Sequence, residues 1–206
     1  HGVSQTSPQM VTPAIIPNII GRLTGRTPVS PDSIAELTEH MSACRFPSKH
    51  KLVEEGSAHG LAYFIEKGMT RSYWVVEGEE ITTSFSTEGT LVFSMDELYY
   101  GLPSEEYVET VETVEAYAIP LSALRHAVTV RLDLAVWWSL IHQDEYRRLH
   151  RSHKERLALP AAERYAAFEQ QQPEACRRAR LADIASYLGI TPSTLSRIRR
   201  ARLSTP

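Results

Sequence analysis

LADIASYLGITPSTLSRIRR, residues 181–200, reads as two helices joined by a tight turn. Ile184 and Leu188 set one apolar stripe on a first helix, and Ala185 is small where a second helix would cross it closely. Gly189 supplies a position that tolerates positive φ, so the chain can turn sharply there. Ile190 plugs the turn. Thr191-Pro192 then caps and opens a second helix whose inner face is Leu195 and Ile198. This is the helix-turn-helix pattern, in which the second helix enters the major groove of DNA. Its outward side chains suit that task. Ser193, Thr194 and Arg197 are the candidates for base contact, Arg197 through a bidentate pair with guanine. Thr191, Arg177, Arg178, Arg180, Arg199 and Arg200 are the candidates for phosphate contact. The competing reading is a helical hairpin with a solvated arginine face.

Charge supports the DNA reading. The net charge of −3 hides an asymmetry: from Glu54 to Pro120 fourteen acidic residues face only Lys67 and Arg71, a net of −12. From Glu174 to Pro206 seven arginines face Glu174 and Asp183, a net of +5. The basic end wants a polyanion and the acidic segment does not, so the chain is expected to have two jobs.

Upstream of the hairpin, Arg131 to Leu159 runs without Gly or Pro, about 40 Å of helix at 1.5 Å per residue. Leu134, Trp138, Ile141 and Leu149 recur near helical spacing and are the expected seam of a homodimer. Pro160 breaks this helix and opens another, which Pro173 closes. Before it, LAYFIEKG, TRSYWVVEG, EITTSFSTEG, TLVFS, EYVETVE and VEAYAIP are β-branched and aromatic, punctuated by Gly60, Gly68, Gly78 and Gly89. Short strands at near-regular spacing point to a barrel or jelly roll. A short helix is expected over Leu121 to Val128, and an amphipathic one over Ile34 to Met41 with its cap in Pro31-Asp32-Ser33. Residues 13–25 suggest a short packing segment broken by Pro13, Pro17 and Gly21. His1 to Gln9 lack the pattern of a secretion signal and read as an added or mobile leader, with Met10 a candidate natural start.

ERYAAFEQQQP followed by DIASYLGITPSTLSRIRR resembles the C-terminal half of Crp/Fnr-type regulators, especially the branch common in Bacteroidetes-like bacteria. YFIEKGMTRSYW, the GEEITTSFSTEG hairpin and LPSEEYVETVE resemble the sensor half of the same family. The resemblance implies an α+β chain: a leader over 1–29, a cyclic-nucleotide-binding-like jelly-roll sensor over 30–128, a dimerisation helix over 129–159 and a winged-helix-like DNA-binding unit over 160–206. It implies a cytoplasmic homodimer on a near-palindromic duplex, with RNA polymerase as a further partner.

Members that bind cyclic AMP hold the ribose with a Gly-Glu pair and the phosphate with an Arg-Ser/Thr pair. A buried phosphate needs such a cation. Here Ser94 stands near the place of the acid, and Pro103-Ser104-Glu105 stands where the arginine pair belongs; no arginine occurs between Arg71 and Arg125. The effector pocket is therefore expected around Arg71, Tyr73, Phe93, Ser94, Pro103 and Ser104, holding a small molecule other than cyclic AMP. Two separated cysteines, Cys44 and Cys176, cannot hold an iron–sulfur cluster and fit a reducing compartment. A haem needs only one His, and the eight histidines leave that open; no required cofactor or metal is expected. A cupin-like enzyme would need His-x-His, and none occurs; nor does a nucleophile elbow or a phosphate loop, so no catalytic residues are expected. An effector-sensing jelly roll that acts through protein partners is the third alternative. No apolar run approaches the length of a membrane span.

Overall fold

The computed structural model describes residues 17–204. Eight strands form two antiparallel four-stranded sheets: β1 (Ser42–Phe46), β2 (Lys51–Val53), β3 (Leu61–Lys67), β4 (Thr70–Val76), β5 (Glu79–Ser86), β6 (Leu91–Val92), β7 (Tyr107–Thr110) and β8 (Val114–Pro120). The sheet orders are β1-β8-β3-β6 and β2-β7-β4-β5, the double-sheet jelly roll. Six of these strands lie where their β-branched and aromatic runs place them. β1 and β2 carry weaker patterns. β1 alternates half-buried and exposed residues and is held by its register with β8, from Ser42 opposite Ala118 to Phe46 opposite Val114.

The β3–β4 hairpin shows why one glycine is needed. Gly68 has φ +104°, and a Cβ there would lie 2.5 Å from the Thr113 carbonyl oxygen and 2.9 Å from Val114 Cγ2. Only a residue without a side chain lets the hairpin pass so close to β8.

β3 is buried on both faces, so it reads as a continuous apolar run. Tyr63 and Ile65 join Leu52, Val53, Val92, Val108 and Val114 in the interior between the sheets. Ala62 and Phe64 turn outward under a helical layer: α1 (Pro17–Arg26), α2 (Pro31–Thr38), α3 (Leu121–Val130) and α4 (Leu132–Ala158). Residues 17–29 are no leader, because Ile19, Leu23 and Val29 enter this core. The leader expectation for residues 1–16, like the segment's Pro13, lies outside the described residues. α2 starts earlier than its sequence suggests: Ser30 Oγ accepts from the Ser33 N–H at 3.1 Å and caps it.

α4 is the long helix expected, 27 residues. Its packed face is the one the sequence suggested for a dimer. Leu134 is 0% exposed, Trp137 stacks on Phe64, and Trp138 and Ile141 pack against the same core. These residues cover their own jelly roll. Of the four expected seam residues only Leu149 is exposed.

The C-terminal unit is α5 (Ala161–Gln171), α6 (Pro173–Arg178), α7 (Leu181–Leu188) and α8 (Pro192–Leu203). The described residues after Pro120 are helical, and α7 and α8 form the expected helix-turn-helix pair within this unit. No described helix is long and apolar enough to cross a membrane.

Candidate nucleic-acid interface

The turn between α7 and α8 forms as its residues dictate. Gly189 takes φ +69°, ψ +34°; its N–H donates to the Ser186 carbonyl at 3.2 Å and the Ile190 N–H to the Ala185 carbonyl at 3.0 Å. That closes α7 with the left-handed cap that only glycine adopts cheaply. Thr191 Oγ1 accepts from the Thr194 N–H at 3.2 Å, and Pro192 fills the first helical position. Ile184, Ala185, Leu188 and Leu195 are all buried where the two helices cross.

Spacing then sorts the α8 side chains. Ser193, Arg197 and Arg200, at i, i+4 and i+7, share one face and are exposed. Thr194 is half-buried and accepts from Arg197 Nη2 at 3.2 Å, which steadies the guanidinium. Arg199 and Arg202 turn the other way. Arg199 Nε donates to the Tyr165 hydroxyl at 3.2 Å with its guanidinium over that ring, and Arg202 pairs with Glu169 at 2.7 Å. Arg199, expected on DNA phosphate, is instead a strut between α8 and α5. Arg177 pairs with Glu174 and keeps a side chain 70% exposed; Arg180 pairs with Asp183 at 3.0 Å.

The four-helix unit is docked on the jelly roll. Met69, Phe85 and Val111 of the barrel join Tyr165, Phe168, Ile184 and Leu188 in one apolar cluster. Polar links surround it. Ser186 Oγ donates to the Glu80 carbonyl at 2.9 Å and accepts from the Thr82 N–H at 2.8 Å. Arg71, 2% exposed, bonds Thr82 Oγ1 at 3.1 Å, Glu80 at 2.9 Å and Asp183 of α7 at 3.3 Å, with its guanidinium 4.0 Å from the Tyr73 ring centre. Arg178, another expected phosphate contact, is held by Glu88 and Glu112 of the barrel.

This relocates the expected effector pocket. Arg71 reaches Asp183 of α7, and Tyr73 lies under its guanidinium, stacking on Tyr107 and bonding Glu109 at 2.9 Å. Phe93 packs on Trp138 of α4, and Pro103 is exposed. Ser94 and Ser104 are buried, but their hydroxyls are committed to nearby backbone, at Glu97 and Glu106. The six residues do not converge. Sequence reasoning passed over Glu97, which is buried and accepts from the Gly60 N–H at 2.9 Å, tying the π-helical turn Asp96–Tyr100 to the loop before β3.

Glu106, beside this turn, has a testable consequence. Burial, with the Asp96 and Glu145 carboxylates adding to it against Arg148, pushes its carboxyl from 4.5 up to about 7. A raised acid favours folding while protonated, so this site costs nothing below 4.5 and its cost grows as pH rises towards 7. Glu106→Gln is expected to raise Tm at pH 8 and leave it unchanged at pH 4 in thermal scans.

No sequence profile of a known family and no curated protein matches the chain. Solved structures do. FixK2 of Bradyrhizobium japonicum superposes with a TM-score of 0.68 at 20% identity, over 78% of this chain and 83% of that one. The c-di-GMP-responsive global regulator CLP of Xanthomonas campestris gives 0.67 at 15%, over 85% and 92%. A Crp/Fnr-family transcriptional regulator of Eubacterium rectale gives 0.66 at 13%, over 84% and 83%. The fold is that of the Crp/Fnr regulators. Each match covers more than three quarters of both chains.

Proposed function

We propose that this protein is a Crp/Fnr-type transcription regulator that acts by binding, not catalysis. Two copies join along α4 and read a near-palindromic site with α8. A small effector other than cyclic AMP sets its activity, and the setting is the cytoplasm, with RNA polymerase as the further partner. The observation that carries the reading is the exposed Ser193–Arg197–Arg200 face on a helix capped at Thr191, at the basic end of a chain with the Crp/Fnr fold.

Position along that face separates two roles. Arg197, in the second turn and steadied by Thr194, is assigned to a base edge; Arg200, nearer the end, to the backbone. Losing a bidentate base contact costs about 1–3 kcal/mol and relaxes preference at one position. Losing a phosphate contact weakens all sequences alike and lowers the salt slope by about 0.9. Arg197→Ala is therefore expected to flatten one position of the motif selected from random duplexes, and Arg200→Ala to preserve the motif at lower affinity. Equal losses on selected and random DNA for both variants would remove the assignment.

Rejection of cyclic AMP is supported by the same geometry. Arg71 is committed to Asp183 and Glu80, and Ser94 and Ser104 to backbone, so none offers a phosphate an unpaired cation. Calorimetry with cyclic AMP is expected to show no binding near 1 μM, which would be worth about −8 kcal/mol. Binding at that level would contradict the proposal.

A further inference from the structure

One guanidinium of the basic C-terminal unit is held by two carboxylates of the acidic barrel. Arg178 ends α6, just before the helix-turn-helix, and its side chain is only 15% exposed. Its Nη1 lies 3.0 Å and its Nη2 2.8 Å from the two oxygens of Glu88, which stands between β5 and β6. Its Nε lies 2.8 Å from Glu112, between β7 and β8, and Nη2 bonds the same carboxylate. Glu174, on the same helix, is 3.5 Å away. Oxygens of two carboxylates thus occupy the fork by which an arginine grips a phosphate. Burial alone would raise the Glu88 carboxyl, yet its bond to Arg178 holds it below the usual range.

We propose that Glu88 and Glu112 act as an intramolecular phosphate mimic, holding Arg178 against the jelly roll in competition with the DNA backbone. The proposal rests on the DNA-binding reading above. Arg177, one residue earlier and largely exposed, is left for DNA, so the mimic withdraws a single cation and not the whole basic face. Any rearrangement of the β5–β6 or β7–β8 connections that moves either carboxylate returns that cation to the interface. The sensor then tunes affinity through charge at the docking surface.

The test uses the full chain and a mixed-sequence duplex of roughly three helical turns, with binding followed by fluorescence anisotropy across a salt series. Glu88 and Glu112 are 37% and 41% exposed, so the isosteric E88Q/E112Q variant keeps the fold. In that variant binding at low salt is expected to tighten, and the log–log salt slope to steepen by about 0.9, one more phosphate contact. R178Q should keep the wild-type slope, and E88Q/E112Q should change nothing in an R178Q background. Without DNA, amide exchange over α6 is expected to speed up in E88Q/E112Q. An unchanged slope in E88Q/E112Q, weaker binding, or a steeper slope that persists with R178Q would overturn the proposal alone. A wild type that binds no duplex at any salt would remove the DNA-binding reading and the proposal with it.

Discussion

Changing Val136 and Leu157 together to Asp is expected to turn the proposed dimer into a monomer and to weaken DNA binding by about a hundredfold or more, the avidity lost when two linked half-sites become one. The residues follow from the helix geometry. Leu132, Val136, Ser139, Gln143, Tyr146, His150, His153 and Leu157 recur at alternating spacings of four and three along α4, and all are exposed. That is the four-and-three period of a coiled-coil stripe, with Leu132, Val136, Tyr146 and Leu157 as its apolar members and Ser139, Gln143, His150 and His153 as polar ones. Leu132 is 82% exposed and Leu157 75%, apolar surface that a second copy would cover in the proposed dimer. Because both altered side chains stand in solvent in the single chain, the variant keeps its own core. Leu134→Ala is the contrasting change. It removes a side chain with no exposure, should cost about 3 kcal/mol of stability, and should leave the dimer intact. Light scattering separates the two outcomes; a wild type that is monomeric at micromolar concentration would refute the seam.

Replacing Arg71 by Ala is expected to cost about 3 kcal/mol, because removing one partner strands a buried charge on the other. Asp183, 4% exposed on α7, would keep only Arg180. The loss joins two halves of the molecule, since Arg71 belongs to the barrel and Asp183 to the helix-turn-helix. Arg71→Met and Asp183→Asn should therefore be non-additive in urea unfolding, with a coupling of about 1–3 kcal/mol. Additive losses would mean that the pair does not fasten the units together. The same measurement bears on the sensor, since an Arg71 so engaged cannot also serve a ligand inside the barrel.

The elements were legible because their patterns are local. Gly189, Thr191-Pro192, Leu195 and Ile198 state a turn, a cap and an inner face within ten residues, and the structure has each of them. Six of the eight strands follow from β-branched and aromatic runs between glycines in the same way, whereas β1 and β2 are set by their pairing with β8 and β7. What was not legible is which face meets which neighbour. α4 carries apolar residues on two sides; Leu134, Trp138 and Ile141 spoke more loudly than Val136 and Leu157, yet the barrel claims them. A single chain's periodicity records that a face is buried, not by what. The arginines failed for a related reason. Arg71, Arg178 and Arg199 were read by type and position in the chain, whereas their partners Asp183, Glu112 and Tyr165 are brought to them only by folding. The acidic segment and the basic tail gave a hint, because opposite charges of that size within one chain can pair with each other as well as with DNA.

Two copies of α8 are proposed to read DNA sequence together. A selection from random duplexes with the wild-type protein, at a stated salt concentration, tests it most directly. The expected result is one enriched motif made of two inverted half-sites, about 10 base pairs from centre to centre, as two recognition helices one DNA turn apart require. A pool that shows no enrichment, or a motif without two-fold symmetry, would contradict it.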